Sequence, residues 1–358
     1  MISRTLRTPA IFLVLVLAAL PACGPSSPSP TQGSFEFASM GTVAACSLEL
    51  APGLDASRAG AMVQAVYDSL ESELSIRRPD SAISRLNRAP ADSAVAVSPW
   101  LGRCLEMSRQ LGEQSGGAFD PTAGALLDLW GFHRKQGVLP GAADVDSARA
   151  LLGRWRFTPD GRAVIKESGG TRFDLGAIAK GLAVDLAVAR LRAVGVKGGL
   201  VDLGGNLFCL GGAPGRADWR VGIKDPLDKT RIFATVTVSN AAVATSGSYE
   251  KFVTIDGVRY GHIMNPATGS PATGTLSATV IAPTGILADG LSTTLFILGP
   301  EQGALLLARH HPGVEAVFVV PGPGPGEIDV IPTPGLAGRI AILPGYADRF
   351  RLRPGPGS

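Results

Sequence analysis

A chain of 358 residues with 45% apolar content can bury a large core, in one domain or two closely joined ones, which excludes a short binding peptide. The formal net charge is only +3 and includes Arg4 and Arg7 of a segment read below as removed, so nothing marks a nucleic-acid binder. The four cysteines (Cys23, Cys46, Cys104 and Cys209) are widely spaced, with no Cys-x-x-Cys and no Cys/His cluster. This argues against a zinc site and a dense disulfide framework, and makes the last three buried small hydrophobes.

Arg4 and Arg7 precede an unbroken apolar run from Ala10 to Leu20, too short to span a bilayer but suited to the core of a signal peptide. Leu20-Pro21-Ala22-Cys23 then resembles a bacterial lipobox, in which the cysteine is lipidated and becomes the mature N-terminus; the plainer alternative is a secretory signal with an incidental cysteine. The expected division is a lipoprotein signal over 1–22, a disordered Pro/Ser tether over 23–34, one folded domain over 35–348 and a disordered tail over 349–358.

Phe35 to Leu50 reads as strand, interrupted at Ser39-Met40-Gly41-Thr42. Asp55 caps a helix that places Val63, Val66, Tyr67, Leu70 and Leu74 on one face. A polar, Pro-broken loop follows from Leu74 to Asn87. Ser98-Pro99 starts a second helix with Leu101, Leu105 and Leu111 inward, ending at Ser115-Gly116-Gly117. A short helix lies near Asp144 to Leu152 and a strand over Ala163 to Glu167. Ala177 to Val194 is helical, with a small-residue face of Ala179, Leu182, Ala183, Leu186, Ala187 and Leu191. Strand-like runs at Trp219–Lys224, Ile232–Val238 and Phe252–Ile255 predict a sheet edge or β-rich lobe. An apolar helix begins at Ala288-Asp289 and ends near Gly299, and strands at Ala316–Val320 and Ile340–Leu343 close the domain.

Thr171 to Gly181, TRFDLGAIAKG, puts Asp174, two glycines and Lys180 where an extended run turns into a helix. Glycines let backbone approach a ligand, and a helix's first turn offers unpaired N–H groups to an anion, chemistry that suits a phosphorylated ligand. Taken alone, Asp174 could equally be a cap and Lys180 a solvated charge.

Eight blocks together are more specific: Met40-Gly41-Thr42, Ser81-x-Ile83-Ser84-x-x-Asn87, Gly117 to Pro121, Asp174 to Gly181, Asp202-Leu203-Gly204-Gly205-Asn206, Thr245-Ser246-Gly247, His262-Ile263-x-x-Pro266-x-Thr268-Gly269 and Ala288-Asp289-x-x-Ser292-Thr293. In this order, from about Phe35 to Gly299, they resemble the ApbE family of FAD:protein FMN transferases. The resemblance implies an α/β (α+β), T-fold-like architecture of mixed sheets, packed helices and a β-rich lobe. It also implies an exported Mg²⁺-dependent enzyme with FAD as substrate. Matched block to block, flavin-contacting roles fall on Met40, Ala118, Phe119, Asp120, Asp174, Lys180 and Ile263, and metal-ligand roles on Ala177 (through its carbonyl), Asp289 and Thr293. Arg77 departs from the pattern: it stands where the family usually has an aromatic residue thought to stack on the flavin, a contact that a planar guanidinium can also make.

These residues also make chemical sense individually. Magnesium takes a few oxygen ligands from protein and the rest from phosphate, which suits one carboxylate, one hydroxyl and one carbonyl. Asp289 and Thr293, four apart at a helix start, share a face, although a cap and a core threonine would look the same. His262, beside a Pro/Gly turn, is the candidate base, with Asp174 in reserve; His133, His310 and His311 lack such a context. Phe119 and Met40 could equally be core. The reading is transfer of FMN from FAD to a Thr or Ser of an exported or membrane redox protein, with release of AMP. The alternatives are an FAD pyrophosphatase and a flavin-binding lipoprotein without turnover.

Overall fold

The computed structural model describes residues 31–355; the lipobox at residues 20–23 and the expected tether up to residue 30 lie outside the described residues. A nine-stranded sheet organises the chain, in the spatial order Thr31–Ser39, Thr42–Leu50, Gly198–Leu203, Asn206–Leu210, Ala241–Gly247, Ser277–Ala282, Glu315–Pro321, Ile328–Pro332 and Phe350–Leu352. Neighbours run antiparallel except the last pair, which is parallel. Successive side chains on a strand point to opposite faces, so each central strand serves two cores. Ala242, Ala244, Ala278, Val280, Ala282, Ala316 and Phe318 join the core of the helices Ala56–Leu74, Pro99–Gln114, Ala179–Ala193 and Gly285–His310. Val243, Ile281, Val317 and Val319 pack instead with a three-stranded sheet of Trp219–Asp225, Asp228–Val238 and Ile340–Ile342. With both faces covered, Ser277–Ala282 is buried at every position. The mixed α/β architecture with a β-rich lobe is therefore as expected.

Local signals act where the sequence places them. Asp55 accepts the Arg58 N–H and Ser98 the Leu101 N–H, capping the helices Ala56–Leu74 and Pro99–Gln114. Met40 and Gly41, at φ 48° and 73°, form the two-residue turn between the first two strands, the left-handed pair such hairpins need. The Gly285–His310 helix breaks at Gly299 (φ 72°), just before Pro300, and a further stretch to His310 follows that the sequence reading lacked. Cys46, Cys104 and Cys209 are buried and unbridged, and burial pushes each thiol up to about 12.

Two boundaries differ from expectation. Residues 31–34, expected in the tether, pair with Leu50 to Ser47, because strand pairing satisfies backbone groups whatever the side chains are. Residues 350–352, expected in a disordered tail, add a ninth strand: Phe350 is 1% exposed and stacks on Phe233 with centroids 4.1 Å apart, while Arg349 pairs with the buried Asp225. One aromatic ring with a pocket to fill outweighs the surrounding Pro/Gly composition.

Two helices approach each other closely at the site. A Cβ on Gly181 would lie 2.1 Å from the Gly285 carbonyl oxygen and 2.7 Å from Asp289 Cβ, so only glycine lets these two helices meet. Gly181→Ala is expected to cost about 1–3 kcal/mol, the usual cost of overpacking, read as a lower urea midpoint. An unchanged midpoint would mean that the helices can separate freely.

Candidate active site

Thr171 to Asp174 is held in extended form by two neighbours that the sequence marks as separate blocks. Asn87 donates from Nδ2 to the Phe173 carbonyl (2.9 Å) and accepts the Phe173 N–H at Oδ1 (2.7 Å), as an adjacent strand would. On the other side the Asp174 N–H donates to the Pro121 carbonyl (2.8 Å), and Ala123 bridges Arg172. Asp120 fixes that second neighbour by accepting the Thr122 N–H (2.7 Å) and hydroxyl (2.5 Å). The Ser81–Asn87 and Gly117–Pro121 blocks thus present Asp174.

Two of the three expected metal ligands, Ala177 and Asp289, stand at the head of the Ala179–Ala193 helix, and Thr293 lies one turn beyond Asp289 on its own helix. In an α-helix the Gly181 N–H would bond the Ala177 carbonyl four residues back. Here it donates to Asp289 Oδ2 (2.9 Å), and the Ala177 carbonyl accepts no hydrogen bond among the described residues. Asp289 is 5% exposed; its Oδ1 lies 3.7 Å from Lys180 Nζ, and Lys180 also donates to the Gly176 carbonyl (3.1 Å). Asn206, in the amide orientation that satisfies both neighbours, donates to Asp289 Oδ1 (3.0 Å) and accepts from Lys180 (3.3 Å). Ser246 Oγ lies 3.1 Å from Thr293 Oγ1 and 2.9 Å from Ser292 Oγ. Among the described residues no three His, Cys, Asp or Glu cluster as a metal site. One carboxylate, one hydroxyl and a free carbonyl are nonetheless a hard-oxygen set that suits magnesium completed by phosphate.

Two histidines face this centre in opposite charge states. His262 Nδ1 lies 3.1 Å from the Lys251 carbonyl oxygen. A carbonyl can only accept, so Nδ1 carries the hydrogen and Nε2 keeps its lone pair. Desolvation, followed by the charge of Lys251 and, more weakly, that of Lys180, lowers the His262 pKa to about 4. His133, which the sequence reading set aside, lies with Nδ1 2.7 Å from Asp128 Oδ1 and Nε2 2.9 Å from Asp174 Oδ2. Desolvation opposes its charge, but the two carboxylates prevail and raise its pKa to about 9. Burial would raise the Asp174 pKa, yet His133, the Gly176 N–H (2.7 Å) and Lys251 bring it below the usual carboxylate range. Lys251, also missed, is lowered first by desolvation and next by the charge of Lys180, and it feels Asp174, Arg77 and Asp289 as well.

The flavin-facing expectations divide. Asp174 and Lys180 line the centre, and Arg77 is exposed in the turn after the first helix with its charge reaching Lys251. Met40 is half-buried and donates its N–H to Glu71 Oε2 (3.1 Å). Phe119 and Ile263, 5% and 7% exposed, pack their side chains in the helical core, where apolar surface is removed from water. Ala118 is half-buried. A signal for His133 did exist: it follows Trp130-Gly131-Phe132, where Gly131 (φ 78°) turns tightly and Trp130 Nε1 donates to the Gly269 carbonyl (2.9 Å), joining this loop to the one that begins at His262. Lys251 has only its nearness to His262.

An NMR titration of the imidazoles should therefore find His133 still protonated at pH 8 and His262 still neutral at pH 5. The sign for stability follows. The raised pKa of His133 contributes stability that is complete below its unfolded value of about 6.5 and lost as pH rises through about 9. Two ordinary titrations near 6.5 would contradict the geometry.

A family model describing the ApbE family matches residues 40–318. The FAD:protein FMN transferase of Treponema pallidum (strain Nichols) is 35% identical over 358 residues, covering 92% of this chain and 94% of its own length. That of Escherichia coli K12 is 32% identical over 269 residues, covering 72% and 77%. Among solved structures, the apo flavinyl transferase ApbE of Pseudomonas stutzeri superposes with a TM-score of 0.75 at 33% identity, over 86% of this chain and 96% of its own. The flavin transferase ApbE of Vibrio cholerae does so at 0.75 and 27%, over 86% and 99%. With the centre around Asp174, Lys180 and Asp289 inside the matched span, the chain belongs to the ApbE family.

Proposed function

We propose that this chain transfers FMN from FAD to a Thr or Ser hydroxyl of a partner protein, in a Mg²⁺-dependent reaction that releases AMP. The observation that carries the reading is the neutral His262, its Nε2 lone pair unused, in a centre with Lys251, Lys180, Asp174 and Asp289. The acceptor oxygen forms a bond to the FMN phosphorus as the pyrophosphate P–O bond breaks; AMP carries away the bonding pair, and His262 Nε2 takes the hydroxyl proton. Lys180 and Lys251 offset the charge of the pyrophosphate, and Asp174 accepts hydrogen bonds from the substrate. The Ala177 carbonyl, Asp289 and Thr293 would hold magnesium, which would neutralise charge on the phosphates.

Two substitutions separate binding from chemistry. His262→Ala should bind FAD nearly as well as the parent, by flavin fluorescence, and lose roughly 10² to 10⁴ in transfer rate, by the in-gel flavin signal on the acceptor. Asp289→Asn should lose activity and recover part of it at high Mg²⁺, because a hard cation loses an anionic ligand. Parental transfer by His262→Ala, or normal activity of Asp289→Asn at low Mg²⁺, would sink the respective role. AMP release without any acceptor would instead favour hydrolysis.

The proposal extends to location: export and lipid anchoring at Cys23, supported by the Arg4/Arg7, apolar-run and Leu-Pro-Ala-Cys series. Mass spectrometry of the native protein should find an acylated Cys23 at the N-terminus. An unmodified N-terminus elsewhere would refute it.

A further inference from the structure

The His133 imidazole spans two carboxylates from separate elements: Asp128 on the helix Gly124–Leu129 and Asp174 in the turn before the helix Ala179–Ala193. An imidazole that contacts a carboxylate oxygen through each nitrogen must carry hydrogen on both, since neither acceptor can donate while ionised. Asp174 is then held at both oxygens, Oδ2 by His133 (2.9 Å) and Oδ1 by the Gly176 N–H (2.7 Å). Each oxygen keeps acceptor capacity to spare, and Lys251, which acts on His262 together with Lys180, is near enough for its charge to act on Asp174. The loop carrying His133 is braced independently: Trp130 donates to the Gly269 carbonyl and lies tilted against Tyr260 with ring centroids 5.4 Å apart, and Arg134 donates to the Asp128 carbonyl (3.1 Å).

We propose that His133 is a positioning residue for FAD: clamped between Asp128 and Asp174, it fixes the Asp174 carboxylate as a hydrogen-bond acceptor for a hydroxyl or N–H of the FAD molecule. This rests on the reading of the centre as an FAD site and adds to it a residue that selects and orients the substrate without touching the phosphorus. The charged groups around the clamp are Asp128, Asp174, Arg134 and Lys251, with His262 neutral across the centre. Losing the proton from His133 leaves two carboxylates competing for one N–H, so FAD affinity falls as pH rises through the range where His133 titrates.

The test is a fluorescence titration of FAD onto the full chain from pH 6.5 to 10, for the parent, His133→Gln and Asp128→Asn, alongside transfer kinetics. At pH 7 His133→Gln should weaken FAD about tenfold, the scale of one hydrogen bond to a charged group, with the loss in KM rather than in kcat. Its affinity should also lose the parent's alkaline fall. Asp128→Asn, exposed and outside the centre, removes one carboxylate from the clamp, so its alkaline fall should begin at lower pH than the parent's. This second variant keeps the test decisive should His133→Gln fold poorly, and it separates His133 from Lys251, whose titration the substitution leaves in place. Parental affinity and pH profiles in both variants would overturn the proposal, and so would a loss confined to kcat. If the parent binds FAD but transfers nothing, the transferase reading fails while the binding arm still decides on His133. If the parent does not bind FAD, both fail together.

Discussion

The hydrogen bond from the Gly181 N–H to the Asp289 carboxylate is the contact on which the centre depends. It needs two helices to approach until no Cβ fits between them, and Gly181 meeting the Gly285 backbone permits that. The same bond takes the donor that the first helical turn would have given to Ala177, and so leaves that carbonyl available to a cation. It also fixes Asp289 in place for Lys180 and Asn206, which come from the preceding helical position and from the start of the strand Asn206–Leu210. One backbone donor thereby aligns three elements.

Environment decides the chemistry of the two histidines, since both have the same intrinsic basicity. His262 faces a carbonyl and two lysines, and the charge of Asp174, acting without a hydrogen bond, is too weak to offset desolvation. His133 is also partly desolvated, but two carboxylates at hydrogen-bond distance outweigh that cost. The cluster thus holds one imidazole that resists protonation and one that resists deprotonation, set apart by their neighbours alone.

The sheet also carries part of the centre. Its hairpin turns at Met40-Gly41 and Gly204-Gly205 join neighbouring strands, and the Gly204 N–H donates to the Val43 carbonyl (3.0 Å), tying one hairpin to the next. Asn206 leaves the second of these turns directly toward Asp289. Core packing and ligand geometry are therefore joined at the sheet's edge of turns, where a shift in register would move both.

By itself the sequence determined what local chemistry determines. Asp55 and Ser98 cap because a side-chain oxygen meets an N–H three residues on, Met40-Gly41 turns because glycine tolerates positive φ, and alternating apolar residues call for a sheet. The ordered blocks likewise marked Lys180 and Asp289, which the fold brings to within 3.7 Å of each other. Tertiary structure alone decided the rest. Thr31 to Ser34 became strand because a partner was present, Phe350 was buried because Phe233 offered its face, and Phe119 and Ile263 turned to the core. His133 and Lys251 entered the centre through loops whose sequence carries no periodicity to read. Their roles come from contacts 41 residues away, His133 to Asp174, and 11 residues away, the Lys251 carbonyl to His262. Desolvation and charge act through space, so a titrating group's state is set by neighbours that only the folded chain brings together.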